Sequence, residues 1–163
     1  MEAKDIGDPL RIIRSLEENQ HAASEILTIN NTVFRRWMTL VAVKTTAKLY
    51  TRIGCCFRIT PNKIVKTGLT VHLTEGATAA FVAQNTSVPV PKIYCCFLHK
   101  NRAYIVMERI QGDNLARVWS MSCKKPGFEQ FRRKILDQLK GVIQELRSLQ
   151  PPPGTGVESY AGG

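Results

Sequence analysis

The spacing of apolar positions divides this chain into segments of different period. The clearest lies near the C-terminal end, where Phe128, Phe131, Ile135, Leu139, Val142, Leu146 and Leu149 recur every three or four residues, which predicts an amphipathic helix over 128–149. Pro151, Pro152 and Pro153 stop it. Upstream the period shortens. Ile53–Ile59 and Asn62–Lys66 are short runs rich in β-branched and aromatic residues on either side of Thr60-Pro61, and they predict two strands joined by a turn. Lys92–Leu98 and Ala103–Ile110 predict a second hairpin about His99-Lys100-Asn101.

Between the hairpins, Leu69–Leu73 reads as extended and Thr74 as the cap of a helix running from Glu75 to about Gln84. Gly76 weakens that helix by about 1 kcal/mol relative to alanine. The helix must stop near Asn85, because Pro89 and Pro91 force the residues before them into extended geometry. After the second hairpin, Asp113 is the expected cap of a short helix carrying Leu115, Val118 and Trp119, which Pro126-Gly127 breaks. Before the first hairpin, residues 8–29 read as a helical or loosely ordered lead-in. Residues 32–52 alternate Arg35, Arg36, Lys44 and Lys48 with Trp37, Leu40, Val41 and Leu49, which predicts an amphipathic helix with a basic face.

Composition narrows this picture modestly. With 44% hydrophobic and 22% charged residues in 163, the chain has the make-up of an ordinary folded domain. Its net charge of +10 raises the expectation of an anionic partner. The basic runs are short and carry no interleaved aromatics, which disfavours nucleic acid. A membrane surface is the less favoured partner of the basic helix face. The five cysteines include the adjacent pairs Cys55-Cys56 and Cys95-Cys96, without the C-x-x-C spacing of a zinc site, so no metal ligands are assigned. Strand alternation puts one thiol of each pair in the core and the other outside it. A reducing compartment suits that usage, and no stretch reaches the roughly 18 apolar residues of a membrane span. The expected location is cytoplasmic.

Two places could carry chemistry. Lys66 closes a strand and Glu75 opens the next helix, a separation that lets a lysine on a sheet meet a carboxylate on a helix packed against it. In kinase folds such a pair holds nucleotide phosphates. A solvated strand lysine and a first-turn glutamate favoured by the helix dipole have the same spacing. The second place is Ala103-Tyr104-Ile105-Val106-Met107-Glu108-Arg109-Ile110-Gln111-Gly112, a strand that turns irregular at a glycine.

That second stretch, completed by Leu115, resembles the hinge of the aminoglycoside phosphotransferase family, "Y-I-V-M-E-x-I-x-G-x-x-L". Residues 85–94 are similar to the "T-S-[IV]-P-V-P-K-V-Y" segment of its fungal members, and residues 63–68 resemble their "I-V-K-x-G" strand. The three motifs are co-linear and span roughly residues 33–150. The resemblance implies an α+β fold: a protein kinase-like N-lobe of five antiparallel strands plus one helix, followed by a hinge and the first helices of a truncated C-lobe. On that division residues 1–32 are the lead-in, 33–111 the N-lobe, 112–127 the hinge and connector, and 128–163 the first C-lobe helix and a truncated loop.

The resemblance also implies roles. Lys66 would bind phosphate and Glu75 would position it; Met107 would gate an adenine pocket, with the Glu108 carbonyl and the Ile110 amide on the purine edge. ATP is the implied cofactor, bound weakly here, with magnesium and a small-molecule hydroxyl acceptor belonging to full-length relatives. Departures from the family pattern are a single glycine, Gly54, where protein kinases carry a Gly-rich loop, and Gly76 where relatives keep alanine. None of His21, His72 or His99 stands in an H-G-D or H-R-D setting, so no catalytic residue is assigned and the chain is expected not to turn over. The rival reading is a non-catalytic interaction protein that uses the exposed helix 128–149, through which it could self-associate, or its basic face.

Overall fold

The computed structural model describes residues 24–46, 50, 53–68, 70–123 and 126–150. A 3-10 turn at Ser24–Leu27 leads to helix α1 (Val33–Thr46), strands β1 (Cys56–Thr60) and β2 (Lys63–Gly68), helix α2 (Leu73–Asn85), strands β3 (Ile93–His99) and β4 (Arg102–Glu108), and helices α3 (Leu115–Ser122) and α4 (Phe128–Ser148). The strands form one antiparallel sheet in the order β1-β2-β4-β3. Two hairpins are thus joined edge to edge, and α2 makes the crossover between them. Lys100 and Asn101 both have positive φ, 50° and 54°, the geometry of a two-residue turn whose twist matches the flanking strands.

Strand alternation then sorts the sheet residues onto two faces. On one face Cys96, Ala103 and Ile105 bury against Val71 and Leu73, with Met107 packed beside them. On the other, Val65, Cys95, Phe97 and Val106 are covered by Leu40 and Val43 of α1. Phe97 and Tyr104, opposite one another in the ladder, stack with ring centroids 5.1 Å apart. Fully burying a side chain such as Phe97 or Ile105 is worth about 1.5–3 kcal/mol.

This three-layer arrangement corrects several expectations. Cys95 and Cys96 point to opposite faces as alternation requires, yet both are buried, because a helix covers each face. Burial pushes the Cys96 thiol pKa up to about 12. Among the described residues four strands form, not five: Val71 and His72 join no ladder, Leu73 already begins α2, and Leu69 lies outside the described residues. Val71 and Leu73 act as core plugs, 1% and 0% exposed, instead of pairing.

Two caps also differ. His72, not Thr74, precedes α2 and makes no side-chain cap bond, so Thr74 stands in the first turn. Asn114 caps α3, its Oδ1 accepting from the Arg117 amide at 2.8 Å, while Asp113 pairs with the Arg117 guanidinium at 3.1 Å.

Of the lead-in, residues 1–23 lie outside the described part. Its last residues are pinned to the sheet: Ile29 exchanges two backbone hydrogen bonds with Cys96 along the β3 edge, at 3.1 and 2.9 Å. The basic side chains of α1 turn toward that edge as well. Arg35 donates to the Tyr94 carbonyl at 3.2 Å and Arg36 to the Leu98 carbonyl at 3.0 Å. The outward side of α1 is apolar, with Val33, Phe34 and Trp37 exposed.

Helix α4 contains no buried residue. Ser87 donates from its hydroxyl to Glu145 at 2.9 Å, and Trp119 meets Phe128 edge to face at 5.2 Å.

Helix α2 comes closest to the sheet at Gly76, where an added Cβ would sit well inside van der Waals contact with Cys96 Sγ and 3.4 Å from Ile105 Cγ2. Gly76→Ala gains about 1 kcal/mol of helix propensity and loses roughly 1–3 kcal/mol to overpacking. The expected net is a loss of about 1 kcal/mol in denaturant unfolding. In a Cys96→Ala background the same substitution is expected to stabilise, because the obstructing sulfur is gone. A stabilising Gly76→Ala in the native background would refute the close approach.

Candidate functional site

Lys66 lies near the end of β2, directly across from Cys56 of β1 and Ile105 of β4. Its side chain leaves the sheet on the α2 face. The first turn of α2 crosses that face because Val71 and Leu73 are anchored in the core just before it and Gly76 lets the helix settle on Cys96. Glu75 is thereby carried to Lys66, and Nζ donates to Glu75 Oε2 in an ion pair whose side chains are 32% and 40% exposed.

The electrostatics follow from this contact. The hydrogen bond to Glu75 raises the Lys66 pKa above the ordinary lysine value; burial opposes it, and the Glu75 charge adds to it. Lys66 is therefore a full cation at neutral pH. Cys56, its ladder partner, has its thiol pKa raised by burial, which the nearby ammonium partly offsets.

Met107 shares the Lys66 face, since it sits opposite Ile64 and two positions along β4 from Ile105. The chain leaving β4 is held at both sides. The Glu108 amide donates to the Lys92 carbonyl at 2.9 Å, and the Arg109 amide to the Asn62 carbonyl at 2.9 Å. The Arg109 guanidinium bridges the Pro61 carbonyl at 3.2 Å and Gln111 Oε1 at 2.9 Å. Ile110 projects outward, 63% exposed, and its amide makes no hydrogen bond among the described residues.

The sheet therefore unites Lys66, Glu75 and Met107 on one face and ends in a fixed strand exit at Glu108–Ile110. Cys56 beside Lys66 and the Arg109 clamp were not anticipated. Both depend on strand register, which local spacing does not specify. At the turn before β1, Gly54 has φ 58°, and Ile53 and Cys56 exchange backbone bonds at 3.2 and 3.0 Å. His72 and His99 stand apart: the first precedes α2, and the second meets the Tyr104 ring edge-on at 6.4 Å, while His21 lies outside the described residues. No group of three or more His, Cys, Asp or Glu able to hold a metal ion occurs among the described residues. No helix there is long and apolar enough to cross a membrane.

Compared with family models, curated proteins and solved structures, the chain matches none.

If Glu75 is what raises the Lys66 pKa, Glu75→Gln should lower it, because the remaining burial disfavours the ammonium. Following the Lys66 side-chain carbon and nitrogen shifts from pH 8 upward by NMR reads this directly. An unchanged titration midpoint would show that the contact does not persist in solution.

Proposed function

We propose that this chain is the nucleotide-binding lobe of a kinase-fold phosphotransferase of the aminoglycoside phosphotransferase type. The observation that carries this reading is the Lys66–Glu75 ion pair, formed between a sheet strand and the next helix along the chain. In kinase folds a strand lysine paired with a helix glutamate cancels phosphate charge, and the glutamate fixes the lysine's position. Two further features support the reading. Met107 lies on the Lys66 face at the mouth of an irregular strand exit, and the Ile110 amide there makes no hydrogen bond among the described residues, which leaves it for a purine edge to meet. Lys66 with Glu75 would suit the phosphate end of ATP and the strand exit at Met107–Ile110 its base, and bound ATP would supply the transferable phosphoryl group.

In this reading Lys66 neutralises phosphate and Glu75 orients Lys66. Met107 closes the base pocket, and the backbone of Glu108 and Ile110 reads the purine edge. Base catalysis, magnesium binding and the choice of hydroxyl acceptor would come from the second lobe, of which α4 would be the first long helix. The expected behaviour of this chain is weak nucleotide binding. Titrating a fluorescent ATP analogue against wild type and Lys66→Ala should show a loss of about five- to thirtyfold, or about 1–2 kcal/mol, as for one charge-assisted hydrogen bond. Identical curves, or no binding by either protein at millimolar ligand, would refute the reading.

A second reading, an interaction module, is favoured by α4, where Leu136, Leu139, Ile143 and Leu146 are 37–50% exposed along one helix. An apolar stripe of this length seeks cover. Sedimentation at micromolar concentration is expected to show self-association that Leu139→Glu with Ile143→Glu abolishes. A wild-type monomer would remove this reading.

A further inference from the structure

The sheet face opposite Lys66 holds a cavity of about 420 Å³ beneath α1, within the range of small-molecule sites. Its walls are mainly aliphatic, with Met38 and Ala42 from α1 and Ile59 and Val106 from the sheet, and they include Thr39, Thr60 and Cys95. Its charged groups are two cations, and Tyr94 positions both. The Lys63 ammonium lies 4.5 Å above the Tyr94 ring, and Arg35 Nη1 donates to the Tyr94 carbonyl at 3.2 Å. No carboxylate lines the cavity, and neither cation has an ion-pair partner among the described residues. The field of both cations reaches Cys95: burial raises its thiol pKa, a hydrogen bond with Thr39 opposes this most, and the charges of Arg35 and Lys63 add to that opposition.

A largely apolar pocket with two cations at one side, neither held in an ion pair although Glu108 lies across the ladder from Lys63, is complementary to an amphipathic anion. We propose that this cavity is a binding site for a single-tailed aliphatic carboxylate, whose head group is held by Arg35 and Lys63 and whose tail lies between Met38, Ala42, Ile59 and Val106. A guanidinium suits a carboxylate because it can present two parallel N–H donors. The site stands on the face away from Lys66, so it does not rest on the nucleotide reading.

The methionines make the test local. In the full chain labelled with [13C-methyl]methionine, decanoate is expected to shift the Met38 signal saturably and to leave Met107 and Met121 in place. A nucleotide acting at the other face would move Met107 instead. Decanol, with the same tail and no charge, should bind more weakly. Arg35→Gln with Lys63→Gln should weaken decanoate at least tenfold, the loss expected for hydrogen bonds to a charged group, and leave decanol unchanged. Because Arg35 also ties α1 to the β3 edge, Lys63→Gln alone serves as the second variant, with a loss of about five- to tenfold expected for one such bond. Ala42→Phe should fill the chamber and remove the Met38 response to both ligands. Decanoate that moves Met38, Met107 and Met121 alike, binds the Lys63→Gln chain as tightly as wild type, or leaves Met38 unmoved at millimolar concentration would overturn the proposal.

Discussion

The absence of a Cβ at residue 76 sets how near α2 can lie to the sheet, and the candidate site depends on that distance. With a hydrogen there, the helix backbone drops into the notch left by Cys96 and Ile105, between the anchored side chains of Val71 and Leu73 and the rest of the helix. Glu75 is the preceding residue, so its backbone position is fixed by the same contact. A better helix former at 76 would gain propensity and lift the first turn away from Lys66. The glycine that looks like a weakness in an isolated helix is what holds the carboxylate in place.

The second constraint is that both faces of the sheet are covered. A four-stranded sheet with one wet face would leave Cys95, Phe97 and Val106 exposed; α1 prevents this, and it is held by more than apolar contact. Arg35 and Arg36 donate to two β3 carbonyls, and Ile29 pairs with Cys96, so the outer edge of β3 is occupied by chain that precedes the sheet. An open β3 edge would be a template for pairing with another chain. Arg36 also lies 5.7 Å above the Phe97 ring, so one side chain serves the edge and the face together.

Much of this was legible in the sequence because it is local. The period of three to four from Phe128, the prolines at 89 and 91 and the two hairpins each reflect dihedral limits or side-chain alternation that a short window contains. The Lys66–Glu75 pairing was legible as a separation along the chain, and the sheet brought the two together. What escaped is non-local. Whether Cys95 is buried depends on a helix some fifty residues earlier, and the sign of a Gly76 substitution depends on a sulfur twenty residues later. Basic residues of α1, read as a face toward an anionic partner, were claimed in part by β3 carbonyls whose position no helical period encodes. The caps show a subtler limit: Asp113 and Asn114 are both competent acceptors, and the structure gives the cap to Asn114 because Asp113 lies where it can pair with Arg117.

The two faces of the sheet treat their cations in opposite ways, and this contrast bears on how the net charge of +10 is used. On the α2 face the lysine meets a carboxylate, so the pair is nearly neutral and the cation is held in one geometry. On the proposed nucleotide reading, such a lysine would be pre-organised for a phosphate group, which could compete for it without requiring a search through rotamers. On the α1 face Lys63 and Arg35 are oriented by an aromatic ring and a backbone carbonyl, groups that fix position without cancelling charge. On the proposal above, these two oriented donors would suffice for a singly charged head group, because neither is committed to an ion pair among the described residues. Alternation along β2 produces the difference: Lys63 and Lys66 are three residues apart, an odd number, so they emerge on opposite faces of the same strand.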